Sequence, residues 1–340
     1  MKEFDKTAVV IEDGDLIFNY VDYYIEDGFL VIVGGKNYLL TDGRYIEHAK
    51  VKANATCYLQ AEISLEALLK EKQVNLVGLV YSNTSATLYE RLISNGYKVY
   101  DYSSSYNSFS AIKSQRALSR IERASFITET AFFKTLPSIK EGITELELSA
   151  ILEYNFKMLG GTVGFETIVA FGNGGSVPHY KTSDKKLEKN QPILMDFGAC
   201  YNGYLSDMTR TLFFGKPTDK FLSVYKCVQT AWEKAYDEIK FGITCREADG
   251  VARSYLETQG LAKYFKHSLG HGVGVKIHEF PTLNTKSDTV LENGMVFSIE
   301  PGVYLENEFG VRIEDTVALV NGRCKSFMKS SKDPIIISAE

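Results

Sequence analysis

The chain of 340 residues is 44% apolar and 24% charged with a formal net charge of −5, the balance of a globular protein rather than a disordered or fibrous one. That mild acidity gives no electrostatic reason to expect nucleic acid or an anionic membrane as partner, and no apolar run approaches the roughly 20 residues of a membrane span. The start, Met1-Lys2-Glu3-Phe4-Asp5, is charged and has no apolar segment behind it, so no signal peptide is expected and the cytoplasm is the expected compartment.

At this length two domains are expected. Short apolar strands at 29–33, 74–81 and 97–100 alternate with helical stretches near 45–50, 64–72 and 85–95, the pattern of a small α/β domain. Residues 101–110, rich in Ser, Tyr and Asn with no buried-face pattern, read as a connection, which puts one domain at 1–110 and a second at 111–340. The second opens with a long amphipathic helix from about Lys113 to Leu136, stopped by Pro137. A helix over 144–158, strands around Ile168 and Ile193, helices over 218–240 and 244–259, and strands running from His271 through Glu314 complete it. Helices and antiparallel hairpins together make an α+β architecture. The five cysteines (57, 200, 227, 245 and 324) form no Cys-x-x-Cys pair and fit a reducing compartment, with Cys227 and Cys245 as small buried hydrophobes.

Chemistry concentrates in the last third. Asp196, Asp207, Glu300 and Glu314 each follow or interrupt a β-type apolar run, so each is expected on a strand. Cys200-Tyr201-Asn202-Gly203 reads as a four-residue hairpin loop, which would place Asp196 directly opposite Asp207. A loop centred on Asn307 would place Glu300 opposite Glu314 in the same way. Opposed like charges roughly 5 Å apart destabilise a sheet, and too few cations lie nearby in sequence to cancel both pairs. About two divalent cations would balance four carboxylates, with His271 as a neutral nitrogen ligand, and such a donor set suits Mn²⁺, Co²⁺, Fe²⁺ or Zn²⁺ alike. Taken singly, each acid would more often be a solvated hairpin residue; five such groups at this spacing point to a site.

The chain also echoes itself. Ile139-Lys140-Glu141-Gly142-Ile143-Thr144-Glu145-Leu146-Glu147 recurs as Ile239-Lys240-Phe241-Gly242-Ile243-Thr244-Cys245-Arg246-Glu247. In both copies Gly ends one element and Thr opens a helix, with Glu three residues later to complete a capping box. A helix, a glycine-rich segment with His179 or His278, and a hairpin with two acids follow each copy, so Asp196 corresponds to Glu300 and Asp207 to Glu314. A duplicated half-domain folded about a pseudo-two-fold would bring both acid pairs to one centre.

With these residues in view, the second domain resembles the pita-bread metallopeptidases, the family of methionine aminopeptidase, Xaa-Pro aminopeptidase and Xaa-Pro dipeptidase (prolidase). The stretch His267-Ser268-Leu269-Gly270-His271-Gly272-Val273-Gly274-Val275-Lys276-Ile277-His278-Glu279 is similar over its whole length to the motif of the proline-specific branch, and Asp42 to Ala49 and Ile112-Lys113-Ser114 are similar to its amino-terminal domain and linker. The resemblance implies an α+β pita-bread catalytic domain with pseudo-two-fold duplication, preceded by a smaller α/β domain of the creatinase/prolidase type. It implies two divalent metals, Mn²⁺ foremost, held by Asp196, Asp207, His271, Glu300 and Glu314, with Asp207 and Glu314 bridging. Glu300 would also relay a proton to the leaving nitrogen, and His179 and His278 would contact substrate. The implied activity is that of an Xaa-Pro aminopeptidase acting on short peptides with proline second, with prolidase as the alternative. Methionine aminopeptidase is set aside by the extra domain, and metal-free hydrolysis or a binding role by the complete ligand set. A homodimer built through the first domain is implied as well.

Four further features are read on the residues alone. Arg312 shares a strand face with Glu314, either as an ion-pair partner of a ligand acid or as the holder of a substrate carboxylate. His267 reads as a supporting or packing residue, and Gly172-Asn173-Gly174-Gly175 as a loop at the pocket edge. His278 lies an odd seven positions after His271, which on a regular strand would point them apart unless Gly272 or Gly274 makes a bend.

Overall fold

In the computed structural model, which describes residues 6–339, the chain divides between Ser110 and Ala111 into two units. Met1 to Asp5, on which the absence of a signal peptide was read, lie outside the described residues. The first unit is a six-stranded sheet in the order Thr56–Leu59, Lys36–Thr41, Gly28–Val33, Lys6–Ile11, Val74–Leu79 and Lys98–Asp101. Its three middle strands run antiparallel and the outer pairings are parallel. Gly34 and Gly35, with φ of +57° and +72°, supply the tight turn that pairs Val33 with Lys36. Helices Leu65–Glu71 and Ala86–Ser94 cover one face through Leu68, Leu69, Leu88 and Leu92; helices Gly14–Val21 and Ile46–Lys52 cover the other through Leu16, Ile17 and Ala49. The segment read as a bare connection is instead the helix Ser103–Ala111. The Asp101 carboxylate accepts from the Ser103 N–H to start it, and Tyr106, 7% exposed, anchors it in the core.

The second unit is organised on the echo. Thr144 caps the helix Glu145–Met158 and Thr244 caps Cys245–Thr258, each in a complete capping box with Glu147 or Glu247. Gly142 and Gly242 precede them at φ of +82° and +88°. Each glycine N–H donates to an equivalent carbonyl, Leu187 at 2.8 Å and Leu291 at 3.0 Å, and Leu146 and Arg246 donate to Ser183 and Ser287 in turn. Two long helices, Gln115–Thr135 and Asp219–Glu238, pack beside the two capped ones. The first ends where Pro137 forces a 3₁₀ turn, Leu136–Ser138.

These helices lie on a nine-stranded sheet whose main run, antiparallel along its length, is Glu279–Leu283, Gly270–Gly272, Val296–Ile299, Glu314–Val320, Met208–Phe214, Gln191–Phe197, Ile168–Phe171; Arg323–Ser326 pairs antiparallel with Glu314–Val320 and Ile335–Ile337 parallel with Met208–Phe214. The pseudo-two-fold passes between the central pair, Glu314–Val320 and Met208–Phe214. Each half has its own core. Leu148, Leu152 and Phe156 pack on Met195 and Phe197 in the first; Ala248, Ala252 and Trp232 pack near Phe297 and Ile299 in the second. Burying a side chain such as Leu152 or Phe156 stabilises the fold by about 1.5 to 3 kcal/mol. No helix among the described residues is long and apolar enough to cross a membrane.

Candidate active site

The four acids meet where the two central hairpins leave the sheet. Asp196 is the penultimate residue of Gln191–Phe197 and Glu314 the first of Glu314–Val320, whereas Asp207 lies just before Met208–Phe214 and Glu300 just after Val296–Ile299. Two of the four expected strand acids therefore stand one residue outside a strand. In the second hairpin the expected register is found: Ile299 pairs with Asp315 and Gly302 with Arg312, which puts Glu300 across from Glu314. In the first hairpin the expectation is corrected. Asn202 and Gly203 both take positive φ (47° and 81°) and form a two-residue turn, so Tyr201 pairs with Tyr204 and Asp196 faces Thr209. The shift is two residues, which preserves the face and leaves Asp207 diagonal to Asp196 instead of opposite it.

All five candidate ligands, with His179, His278 and Arg312, line one cavity of about 650 Å³ within this unit. His271 Nε2 lies 3.3 Å from Glu300 Oε1 and 3.5 Å from Asp207 Oδ2. Asp207, His271 and Glu314 each present a donor atom within 4.8 Å of the others, a group able to hold a metal ion. Gly270 and Gly272 let the strand carrying His271 sit this deep, because a Cβ at either would overlap the Ser298 or Phe280 carbonyl. A register irregularity between His271 and Gly272 turns the chain back, and the His271 and His278 rings meet edge to face at 4.3 Å despite their odd separation.

The electrostatics fit cations at this place. Burial, reinforced by Asp196 and Glu300, pushes the Asp207 carboxyl well above its ordinary range; burial with Asp207 nearby does the same to Glu314. Glu300 is pushed up to about 8, chiefly by burial and against the pull of Arg312. Burial lowers His271 to about 4, so its imidazole is neutral at pH 7. Its Nδ1 donates to the Gly272 carbonyl at 3.2 Å, which leaves the Nε2 lone pair aimed at the acids. Asp196 Oδ1, Asp207 Oδ1 and Glu314 Oε1 are buried without a hydrogen-bond partner, a costly state that a divalent cation would relieve.

Arg312, 3% exposed, is turned onto the protein. Its guanidinium reaches the Asp196 carboxylate, and its Nε donates to Thr209 Oγ1 at 2.9 Å and Nη1 to the Tyr304 hydroxyl at 2.8 Å. Of the two roles left open by sequence, the ion pair is the one formed in this geometry. His267 supports the wall: its Nε2 meets the same Tyr304 hydroxyl at 2.8 Å and its Nδ1 lies 3.8 Å from Glu300. Sequence reasoning missed Tyr304, fully buried, and Thr209, whose hydroxyl donates to Glu314 Oε2 at 2.6 Å. It also missed the buried Arg210, which donates to the Thr209 and Glu314 carbonyls and pairs with Asp315 at 2.8 Å. The one available signal was the neighbouring Thr209-Arg210 and Glu314-Asp315 dipeptides, a cation and an anion each beside a residue of the site. Gly172 to Gly175 do not line the cavity; they form a close-packed 3₁₀ turn, and a Cβ at Gly310 would overlap the Gly175 carbonyl.

A duplicated α+β unit that gathers four acids and an imidazole at its pseudo-two-fold defines a metal-site fold, and comparison with known proteins gives its family. The chain belongs to metallopeptidase family M24, whose model matches residues 119–321. It is 40% identical over 225 residues to an Xaa-Pro dipeptidase of Pyrococcus horikoshii, a match covering 66% of this chain and 64% of that relative, so just under two thirds of the relative's length is spanned. Among solved structures, the X-Pro aminopeptidase of Thermotoga maritima MSB8 superimposes with a TM-score of 0.91 at 30% identity, covering 98% of each chain. The Xaa-Pro dipeptidase of Bacillus anthracis does so with 0.92 at 32% identity, covering 97% of this chain and 95% of that one.

Proposed function

We propose that the chain is a metal-dependent Xaa-Pro dipeptidase, which cleaves the bond between a first residue and a following proline. The observation that carries the reading is the gathering of Asp207, Glu314 and the neutral imidazole of His271 within 4.8 Å of one another, in a cavity where carboxylate oxygens of Asp207, Glu314 and Asp196 are buried without a partner. The Pyrococcus horikoshii relative, named an Xaa-Pro dipeptidase, supports the dipeptide substrate and reverses the order reached from sequence, in which the aminopeptidase came first. The likeness to the Thermotoga maritima X-Pro aminopeptidase keeps that activity as the second reading.

Asp196, Asp207, His271, Glu300 and Glu314 would hold two divalent cations, Mn²⁺ foremost. Such cations lower the pKa of water and polarise a carbonyl oxygen, which is the chemistry amide hydrolysis requires. Glu300 moves a proton to the leaving nitrogen, which is tertiary in an Xaa-Pro bond and leaves only when protonated. His179 and His278, both on the cavity wall, hydrogen-bond the substrate and orient the scissile carbonyl. Arg312 fixes the Asp196 carboxylate. The same reading places the protein in the cytoplasm as a homodimer, with residues 1–110 as the creatinase/prolidase-like domain through which copies pair.

The test is hydrolysis of an Xaa-Pro dipeptide and an Xaa-Pro-Yaa tripeptide with the same first residue, in Mn²⁺ and after chelation. Metal-dependent cleavage of the dipeptide alone is expected. Efficient cleavage of the tripeptide would replace the reading with the aminopeptidase, and silence on both would overturn it.

A further inference from the structure

Lys113 stands in the short segment ahead of the long helix Gln115–Thr135, where its N–H donates to the Gly294 carbonyl at 2.8 Å and Ile112 bridges Met295. Its ammonium pairs with Glu279 Oε1 at 2.5 Å, and both side chains are nearly buried, 4% and 11% exposed. Burying such a pair gives no assured gain in stability over an apolar pair of the same volume, so its worth here lies in where it fixes its partner. Glu279 is the residue after His278. Its second oxygen faces the Lys276 N–H at 3.4 Å, and its carboxylate rests so closely on Gly274 that a Cβ there would overlap it. The Gly274 carbonyl in turn accepts from Leu205 N–H at 2.8 Å, two residues ahead of Asp207. The Glu279 side chain thus fills the inside of the 273–278 turn, and Lys113 holds that side chain.

We infer that Lys113 is a positioning residue for His278: through Glu279 it fixes the turn that presents the imidazole to the cavity, against the His271 ring at 4.3 Å. The inference rests on the substrate-contacting role given to His278 above. If the pair is removed, the turn keeps its apolar anchors, Val273 and Val275, but His278 loses its fixed place. A misplaced orienting group costs up to about a hundredfold in rate without contact to the reacting atoms.

The experiment is a double-mutant cycle on the Mn²⁺-loaded protein with an Xaa-Pro dipeptide, using Lys113→Met, His278→Ala and both together. Lys113→Met should lower kcat/KM by about ten- to a hundredfold with metal stoichiometry unchanged, yet by less than about twofold in the His278→Ala background. A merely structural role would give the same loss in both backgrounds and overturn the proposal, as would full activity of Lys113→Met. A His278→Ala variant as active as the parent would instead remove the substrate role of His278 and the proposal with it. In the metal-free protein, the His278 ring resonance, identified by its absence in His278→Ala, should move in Lys113→Met; an unmoved resonance counts against the link. Glu279→Gln keeps the shape and the Lys276 contact while removing the charge, and should repeat the pattern if Lys113→Met fails to fold.

Discussion

The two halves of the second unit share a scaffold and differ in what they bring to the cavity. Each opens with a Thr-Glu capping box and contributes one acid from the end of a strand and one from the approach to the next. The strand flanking the first half, Ile168–Phe171, carries only apolar residues, whereas its counterpart in the second, Gly270–Gly272, carries His271. The second half also sends Arg312 across the pseudo-two-fold to Asp196. Duplication therefore supplies the frame and four oxygens, and divergence makes the centre unsymmetrical. One side has Asp207, His271 and Glu314 converging around a nitrogen; the other has Asp196 already balanced by a guanidinium. If the five residues hold two cations as proposed, that difference predicts positions of unequal strength.

The largest effect that sharpens the comparison is at Asp207, the acid that the resemblance implies as a bridge between the cations. Asp207→Asn should abolish turnover, by at least about 10³-fold or roughly 4 kcal/mol of barrier, and remove bound metal together with it. An active, metal-replete variant would break the assignment; elemental analysis and initial rates decide it. Next comes the hydroxyl that holds Glu314. Thr209→Val leaves that carboxylate without its 2.6 Å donor and Arg312 without one acceptor, and should weaken metal affinity about 10- to 100-fold with little change in fold. Titration of the metal-free variant, followed by circular dichroism of the same sample, checks both halves of that statement.

The crowding of acids also sets a pH dependence in the metal-free protein. Glu300 is raised from 4.5 to about 8, so its stabilising contribution is complete below pH 4.5 and lost as pH rises through 8; the raised Asp207 and Glu314 carry the same sign. His271 and His267 are lowered from 6.5 to about 4 and about 3, so theirs is complete above pH 6.5 and lost as pH falls. Between pH 6.5 and 8 only the carboxyls act, and the Tm of the metal-free protein should fall over that window, less steeply in Glu300→Gln. A flat or rising Tm there would mean that the acids do not crowd one another. The smallest effect tests the scaffold itself: Thr144→Ala and Thr244→Ala should each cost about 1 kcal/mol, and equally, since the two capping boxes have matching geometry.

Much of this was legible in the sequence because it depends on local chemistry. The capping boxes announced the duplication, and the Asn307 loop fixed the register of Glu300 against Glu314. The first hairpin was misread by two residues, since a four-residue loop and an Asn202-Gly203 turn of two are equally compatible with the letters, and only the strand twist selects the tighter one. Strands Lys36–Thr41 and Thr56–Leu59 were missed because their polar and aromatic residues show no clean alternation, and pairing within the sheet decides them. Tyr304, Thr209 and Arg210 were invisible for a different reason. Their residue types are common in any core, and they matter only because the fold brings them beneath the acids from positions about 100 residues apart.

The inequality of the two sides is the central claim, and calorimetric titration of Mn²⁺ into the metal-free protein and into His271→Ala measures it most directly. Two binding events of clearly different affinity are predicted for the parent chain, with the tighter one absent from the variant. Two equal events, or a variant that keeps the tighter one, would contradict the account.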